Sequence, residues 1–247
     1  YDGVYSYPTN AGRGVNAYIL DTGVRMTHHE FVGRIKLGGV FCDGCKSGDD
    51  EFGHGTHVAG TVRTTYGVAK LANIINVRIL DAAGSADFSV IAKGINYVIN
   101  AHKNDTNKNI INLTIIILAC LFILVTLVKE CTDNGIHVVV SAGNDDHNSC
   151  LQTPAAAPSA ITVGASDKLD YMAEFSNYGP CVDIYAPGVS ILSAYTKNDN
   201  DSEILDGTSM SAPHVVGTVA LYISTYGNLP SSNMSEAIIS LATKNII

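Results

Sequence analysis

A chain of 247 residues is long enough to bury one sizeable core and too short for two comfortable ones. Its formal charge of −8, without any Lys/Arg cluster, gives a nucleic-acid partner no electrostatic support. Charged residues are sparse at 15% while Gly reaches 23, so many tight turns are expected. The chain opens at Tyr1 without a basic and apolar leader, which suits a mature form.

Val15 to Leu20 reads as a short apolar strand that stops at Asp21-Thr22-Gly23. That polar break falls at the carboxyl end of a strand, where open α/β sheets keep their chemistry. Gly33 to Asp50 mixes Gly, Asp and Cys and reads as loops, and His54 to Thr64 has helical spacing. Ile74 to Leu80 reads as a strand, Ala82 to Ala86 as a turn and Phe88 to Asn100 as a helix. Next come a strand over Ile110 to Ile115 and a helix from Leu118 to Cys131 that ends near Gly135. A strand over Ile136 to Val140 leads into Ser141-Ala142-Gly143-Asn144. Ile161 to Val163 and Val182 to Tyr185 add short strands, and a final helix is expected from Ser209 to Tyr226. Pro213 falls in its first turn, where a missing backbone N–H is tolerated. Strands separated by helices predict an α/β fold with a mostly parallel central sheet and helices on both faces, in a single domain over residues 1–247.

Two features invite other readings. The apolar run from Ile110 to Val128 approaches membrane-spanning length, but Asn112 and Thr114 interrupt it and no second span exists. A buried strand followed by an oily helix fits better, so no membrane span is expected. The cysteines are Cys42, Cys45, Cys120, Cys131, Cys150 and Cys181, an even set that permits bridges without fixing their connectivity. Cys42-x-x-Cys45 admits a zinc reading, yet no second close pair of Cys or His follows. Cys120 and Cys131 lie too far apart along one intact helix to be bridged.

Three stretches carry the chemistry: Asp21-Thr22-Gly23, His54-Gly55-Thr56-His57-Val58-Ala59-Gly60, and Gly207-Thr208-Ser209-Met210-Ser211-Ala212-Pro213-His214. Each alone reads as structural: a loop carboxylate, a satisfied histidine, a serine N-cap. An aspartic-protease reading of Asp21-Thr22-Gly23 needs two carboxylates sharing a proton, and no second Asp-Thr-Gly or Asp-Ser-Gly occurs. Composition leaves His54 and His57 equal as candidate bases.

Together with Ser141 to Asn144 and Phe175-Ser176-Asn177-Tyr178-Gly179, these stretches resemble the subtilisin-like serine proteases over nearly the whole chain. Within them the sequence is similar to the proteinase K and fungal cerevisin branch. The resemblance implies a subtilisin-like fold, with Asp21 orienting His54, His54 as general base and then acid, Ser209 as nucleophile, and Asn144 as oxyanion donor. His57 and His214 become structural. The roles agree with chemistry: a serine needs an imidazole to take its proton, and a carboxylate behind the ring fixes its tautomer.

The implied activity is endopeptidase hydrolysis through an acyl-enzyme, broad in specificity with apolar or aromatic P1 side chains. Peptide or protein substrates would add as a strand between Gly84-Ser85-Ala86 and Thr114 to Ile117. Phe88 would bound an outer pocket, or else face the core. The resemblance also implies a Cys150–Cys181 bridge, and structural calcium held by the carbonyls of Pro158 and Ala160 and the carboxylate of Asp183. It implies a secreted monomer made as a zymogen and open to inhibitor complexes, with Asn104 and Asn233 in glycosylation patterns. The chain is short at both ends for the family. One departure is sharp: relatives carry Ser-Leu-Gly-Gly where this chain has Thr114-Ile115-Ile116-Ile117. Ile116 and Ile117 would obstruct the cleft in an alternative reading, a catalytically impaired peptide-binding homologue. An esterase reading lacks the Gly-x-Ser-x-Gly elbow.

Overall fold

Successive residues of β1 (Val15–Asp21) serve two different cores. Val15, Ala17 and Ile19 pack into one, while Tyr18 and Leu20 pack into the other, because adjacent strand side chains point to opposite faces. The computed structural model, which describes residues 4–104, 108–113 and 122–244, extends this pattern into a layered α/β fold. The other sheet strands are β2 (Ile35–Val40), β3 (Asn73–Arg78), β4 (Lys108–Leu113), β5 (His137–Ser141), β6 (Ile161–Ser166) and β7 (Ile184–Pro187). They run in the order β2-β3-β1-β4-β5-β6-β7, and every neighbouring pair is parallel. Burial on both faces explains why β1 and β5 read as continuous apolar runs.

One face is covered by α1 (His54–Val62), α4 (Thr208–Tyr226) and α5 (Ser231–Leu241), the other by α2 (Phe88–Lys103) and α3 (Phe122–Asp133). Helix α4 is apolar nearly all round, burying Met210, Ala212, Val215, Val216, Val219, Ala220 and Ile223, as a helix threading the interior must. A separate antiparallel hairpin, β8 (Ile191–Ala194) and β9 (Ser202–Leu205), packs over α1.

Several expectations need correction. Strand β2 occupies part of a stretch read as loop: Gly38 and Gly39 break its alternation, its register shifts between Leu37 and Gly39, and none of its residues is fully buried. The chain also has a helix beyond Tyr226, since α5 anchors itself with only Met234 and Ile238. Pro213 lies in the second turn of α4, where it deprives the Ser209 carbonyl of its helical donor.

Disulfides join Cys42 to Cys45 and Cys150 to Cys181. The first removes the zinc reading, and among the described residues no group of three or more His, Cys, Asp or Glu could hold a metal ion. Cys131 is a buried free thiol whose pKa is pushed up to about 12 by burial and the neighbouring Glu130, and Cys120 lies outside the described residues. Of the oily run, the described residues fall in β4 and α3, with Phe122 and Ile123 exposed. Among the described residues no helix is long and apolar enough to cross a membrane.

Candidate active site

Strand β1 lies between β3 and β4: the chain runs from β1 out to β2 on one side and crosses from β3 to β4 on the other, and this reversal of strand order opens a crevice at the carboxyl end of β1. Asp21 is its last residue and is 1% exposed. Its carboxylate faces His54 Nδ1 at 2.8 and 3.0 Å and accepts the Thr22 backbone N–H at 2.7 Å. An ionised carboxylate only accepts, so Nδ1 carries the proton and Nε2 is left as the basic nitrogen. Burial alone would lower the His54 pKa, but the charge and hydrogen bond of Asp21, with help from Asp50, hold it above 6.5. The close approach depends on Gly55, where a Cβ would overlap the Gly23 carbonyl and crowd Asp21.

His54 opens α1, whose N-cap Gly53 has no side chain to offer. The capping acceptor is Asp50, 7% exposed and absent from the sequence reading. Its Oδ1 accepts from Thr22 Oγ1 (2.8 Å), Phe52 N (3.0 Å) and Gly53 N (2.7 Å). Its Oδ2 accepts from the backbone N–H of Thr56 (2.9 Å) and its hydroxyl (2.6 Å). Thr22 Oγ1 in turn accepts the Gly55 N–H at 2.9 Å.

Ser209 lies in the first turn of α4, 7% exposed, and α4 packs directly on α1. Asn144 follows β5 and meets the same helix start. Its Oδ1 accepts the Thr208 backbone N–H and hydroxyl, both at 2.9 Å. A backbone N–H can only donate, so the oxygen is fixed inward and the Nδ2 donor is presented outward. Nδ2 of Asn144 and N of Ser209 lie 3.8 and 3.7 Å from the place a Cβ on Gly207 would occupy, so both donor nitrogens lie beside Gly207. The loop behind Asn144 is held by Asn177, fully buried, which accepts from the N–H groups of Asp145 and His147 and donates to Ala142 O and Gln152 Oε1.

The remaining expected residues fall into clear positions. His57 donates Nε2–H to the carbonyls of Ile191 and Glu203, tying α1 to the hairpin. Burial outweighs those bonds and lowers its pKa to about 4, so it stays neutral. His214 bonds Met210 O through Nδ1, and burial lowers its pKa. Phe88 is half-buried and packs against the core beneath α2. Beside it, Ser85 is pinned by Asp81, which receives its N–H and donates to its carbonyl, and Gly84 lies against the Phe52 ring. Asp183 sits beside the start of β6: its Oδ2 accepts the Thr162 N–H at 2.8 Å, and its own N–H donates to Thr162 O at 2.9 Å. Burial raises the Asp183 pKa against the lowering effect of Thr162, so a hard cation would relieve this carboxylate. Pro158 and Ala160 precede β6 in sequence, and their carbonyls would make the donor set all oxygen, the chemistry that suits calcium. Thr114, Ile115, Ile116 and Ile117 lie outside the described residues.

The model of the subtilase family matches residues 12–246. An extracellular serine proteinase from Thermus sp. (strain Rt41A) is 42% identical over 247 residues, covering 100% of this chain and 59% of the relative. Subtilisin-like protease 3 of Pseudogymnoascus destructans is 41% identical, covering 98% of this chain and 61% of the relative. The crystal structure of a cold adapted subtilisin-like serine proteinase superposes with a TM-score of 0.93 at 36% identity, covering 100% of this chain and 88% of that one. The chain thus spans about three fifths of the length of these curated relatives. Matched from end to end in both sequence and fold, it belongs to the subtilase family.

Proposed function

We propose that this chain is a single peptidase domain over residues 1–247 that hydrolyses peptide bonds through an acyl-enzyme on Ser209. The observation that carries the reading is the Asp21–His54 contact of 2.8 Å, which fixes the proton on Nδ1 and leaves Nε2 basic. Ser209 Oγ attacks the scissile carbonyl while His54 Nε2 takes its proton, and Asp21 stabilises the imidazolium without accepting that proton. Negative charge developing on the carbonyl oxygen is met by Asn144 Nδ2 and the Ser209 N–H, the two donors whose nitrogens lie beside Gly207. The imidazolium then gives its proton to the leaving amine, and water reverses the steps to release the acid.

The substrate is an extended or unfolded polypeptide with an apolar or aromatic P1 side chain, added as a strand along Gly84-Ser85-Ala86. The hydrogen bonds from Asp81, which hold Ser85 in place, support a pre-formed edge there. The proteinase K and cerevisin branch is favoured by the Cys150–Cys181 bridge. Pro158, Ala160 and Asp183 would hold calcium, which when bound supplies a charge clamp on the fold and takes no part in the chemistry. Secretion as a monomer fits two disulfides and a relative described as extracellular.

Turnover of a series of peptide amides varied at P1 tests the reading. Hydrolysis that favours Phe, Tyr or Leu over Lys and Asp supports it. Binding of the same peptides with no hydrolysis contradicts it and favours the impaired homologue.

A further inference from the structure

Resting on the proteolytic reading above, we infer that Asp50 is a positioning residue of the proton-transfer couple: its buried carboxylate fastens the strand end that carries Asp21 to the helix start that carries His54. Thr22, joined directly to Asp21, donates to Asp50 Oδ1 and accepts from Gly55, joined directly to His54. One hydroxyl therefore touches both sides of the couple, and Asp50 fixes that hydroxyl. The same carboxylate receives the N–H groups of Phe52 and Gly53, just ahead of α1, and of Thr56, one of the orphan donors of its first turn. A negative charge at a helix N-terminus is favourable, and one that accepts five hydrogen bonds has its burial compensated.

The position of Asp50 is itself set from behind. Arg78, 1% exposed, donates to the carbonyls of Ser47, Asp49 and Leu80 and pairs with Glu51 at 2.6 Å. That clamp holds the loop on both sides of Asp50. A neutral acceptor could satisfy the geometry, but only a charge also acts on the imidazole. The ionisable groups that act on His54 are Asp21 from β1 and Asp50 from the loop; His57 of α1 feels both His54 and His214 of α4, and burial lowers the pKa of His57 and of His214. Arg78 is in register with Asp21 on β3, yet its guanidinium is spent on Glu51 and the loop carbonyls. Asp50 thus adds to Asp21 in favouring the imidazolium, beyond holding the chain.

The test compares Asp50→Asn and Thr22→Val with the wild type, reading kcat and KM against pH and the His54 imidazole by NMR titration. Asp50→Asn removes the charge and turns one acceptor into a donor facing Thr56. It is expected to lower kcat by about 10²-fold, the effect of roughly an ångström of misplacement, with KM little changed. Its His54 titration and the acid limb of kcat/KM both move to lower pH. Thr22→Val keeps the charge and breaks the link, so kcat falls by about 10-fold or more with the titration unmoved. A folded Asp50→Asn with wild-type kcat and an unmoved titration overturns the inference. If Asp50→Asn does not fold, wild-type kcat in Thr22→Val overturns it. A wild type without amide hydrolysis defeats the proteolytic reading instead, and the NMR titration then still decides whether Asp50 acts on His54.

Discussion

The two arms of the site are built from opposite materials. The Asp21–His54 arm is organised by two buried carboxylates, Asp21 and Asp50, with Arg78 and Glu51 behind them. The Asn144–Ser209 arm is organised mainly by neutral groups: Thr208 donates to Asn144 and Asn177 donates to Gln152, with the exposed Asp145 carboxylate accepting from Gln152 at its rim, and among the described residues no ion pair is found in it. On the proposed proteolytic reading, the difference follows from the task. A base must have its proton affinity tuned, which needs charge nearby, whereas an oxyanion site must hold donors still without adding negative charge of its own. Damage to the first arm should therefore move the pH profile, and damage to the second should change rate alone.

The largest expected effect is on the charged arm. Asp21→Asn should lower kcat by about 10⁴-fold, because the amide no longer fixes the Nδ1–H tautomer. The raised His54 pKa sets the sign of the pH dependence. Since the folded value lies above the ordinary 6.5, the stability gained from the pair is full below about 6.5 and is lost as pH rises through the folded value. Activity runs the other way, appearing over that same window as the imidazole becomes neutral. In Asp21→Asn the acid limb of kcat/KM should move down, and an unmoved limb would break the comparison.

Asn144→Ala should cost about 10²- to 10³-fold in kcat with the acid limb in place, as measured on the same substrate. A shifted limb there would show that the second arm also tunes the base. The bridge from Cys150 to Cys181 closes the segment that includes Asn177, at a sequence separation of 31. Replacing both cysteines with Ser should lower unfolding free energy by about 3 to 4 kcal/mol in the loop-entropy account, read by denaturant titration with the acid limb unchanged. The smallest effect is expected at Asp183: calcium should raise Tm in the wild type, by about 2.7 kcal/mol of stability at 100 times its Kd, and not in Asp183→Asn. An equal rise in both would place the ion elsewhere.

The neutral arm was the more legible of the two in the sequence. Ser141 to Asn144 and Phe175 to Gly179 stand out as motifs, and Asn177 proves to be the buried residue that holds Asn144's loop. Asp50 was missed because Gly33 to Asp50 mixes Gly, Asp and Cys and reads as loops, and nothing local shows that its last residue turns inward. The available signal was its place just ahead of a helix whose cap position is Gly53, since such a helix needs an acceptor from elsewhere. The strands on either side of β1 were readable because both faces are buried. Strand β2 was not, since it is a half-exposed edge with Gly38 and Gly39 in the middle. The hairpin β8–β9 and helix α5 failed for the same reason, with few buried residues to set a period.

The most direct measurement of the central claim is peptide mapping by mass spectrometry after incubation with an organophosphonate, on wild type and on His54→Ala. A single adduct on Ser209 in the wild type, lost or strongly slowed in His54→Ala, is the predicted result. An unmodified Ser209 in folded protein, or an adduct formed equally fast without His54, would contradict the account.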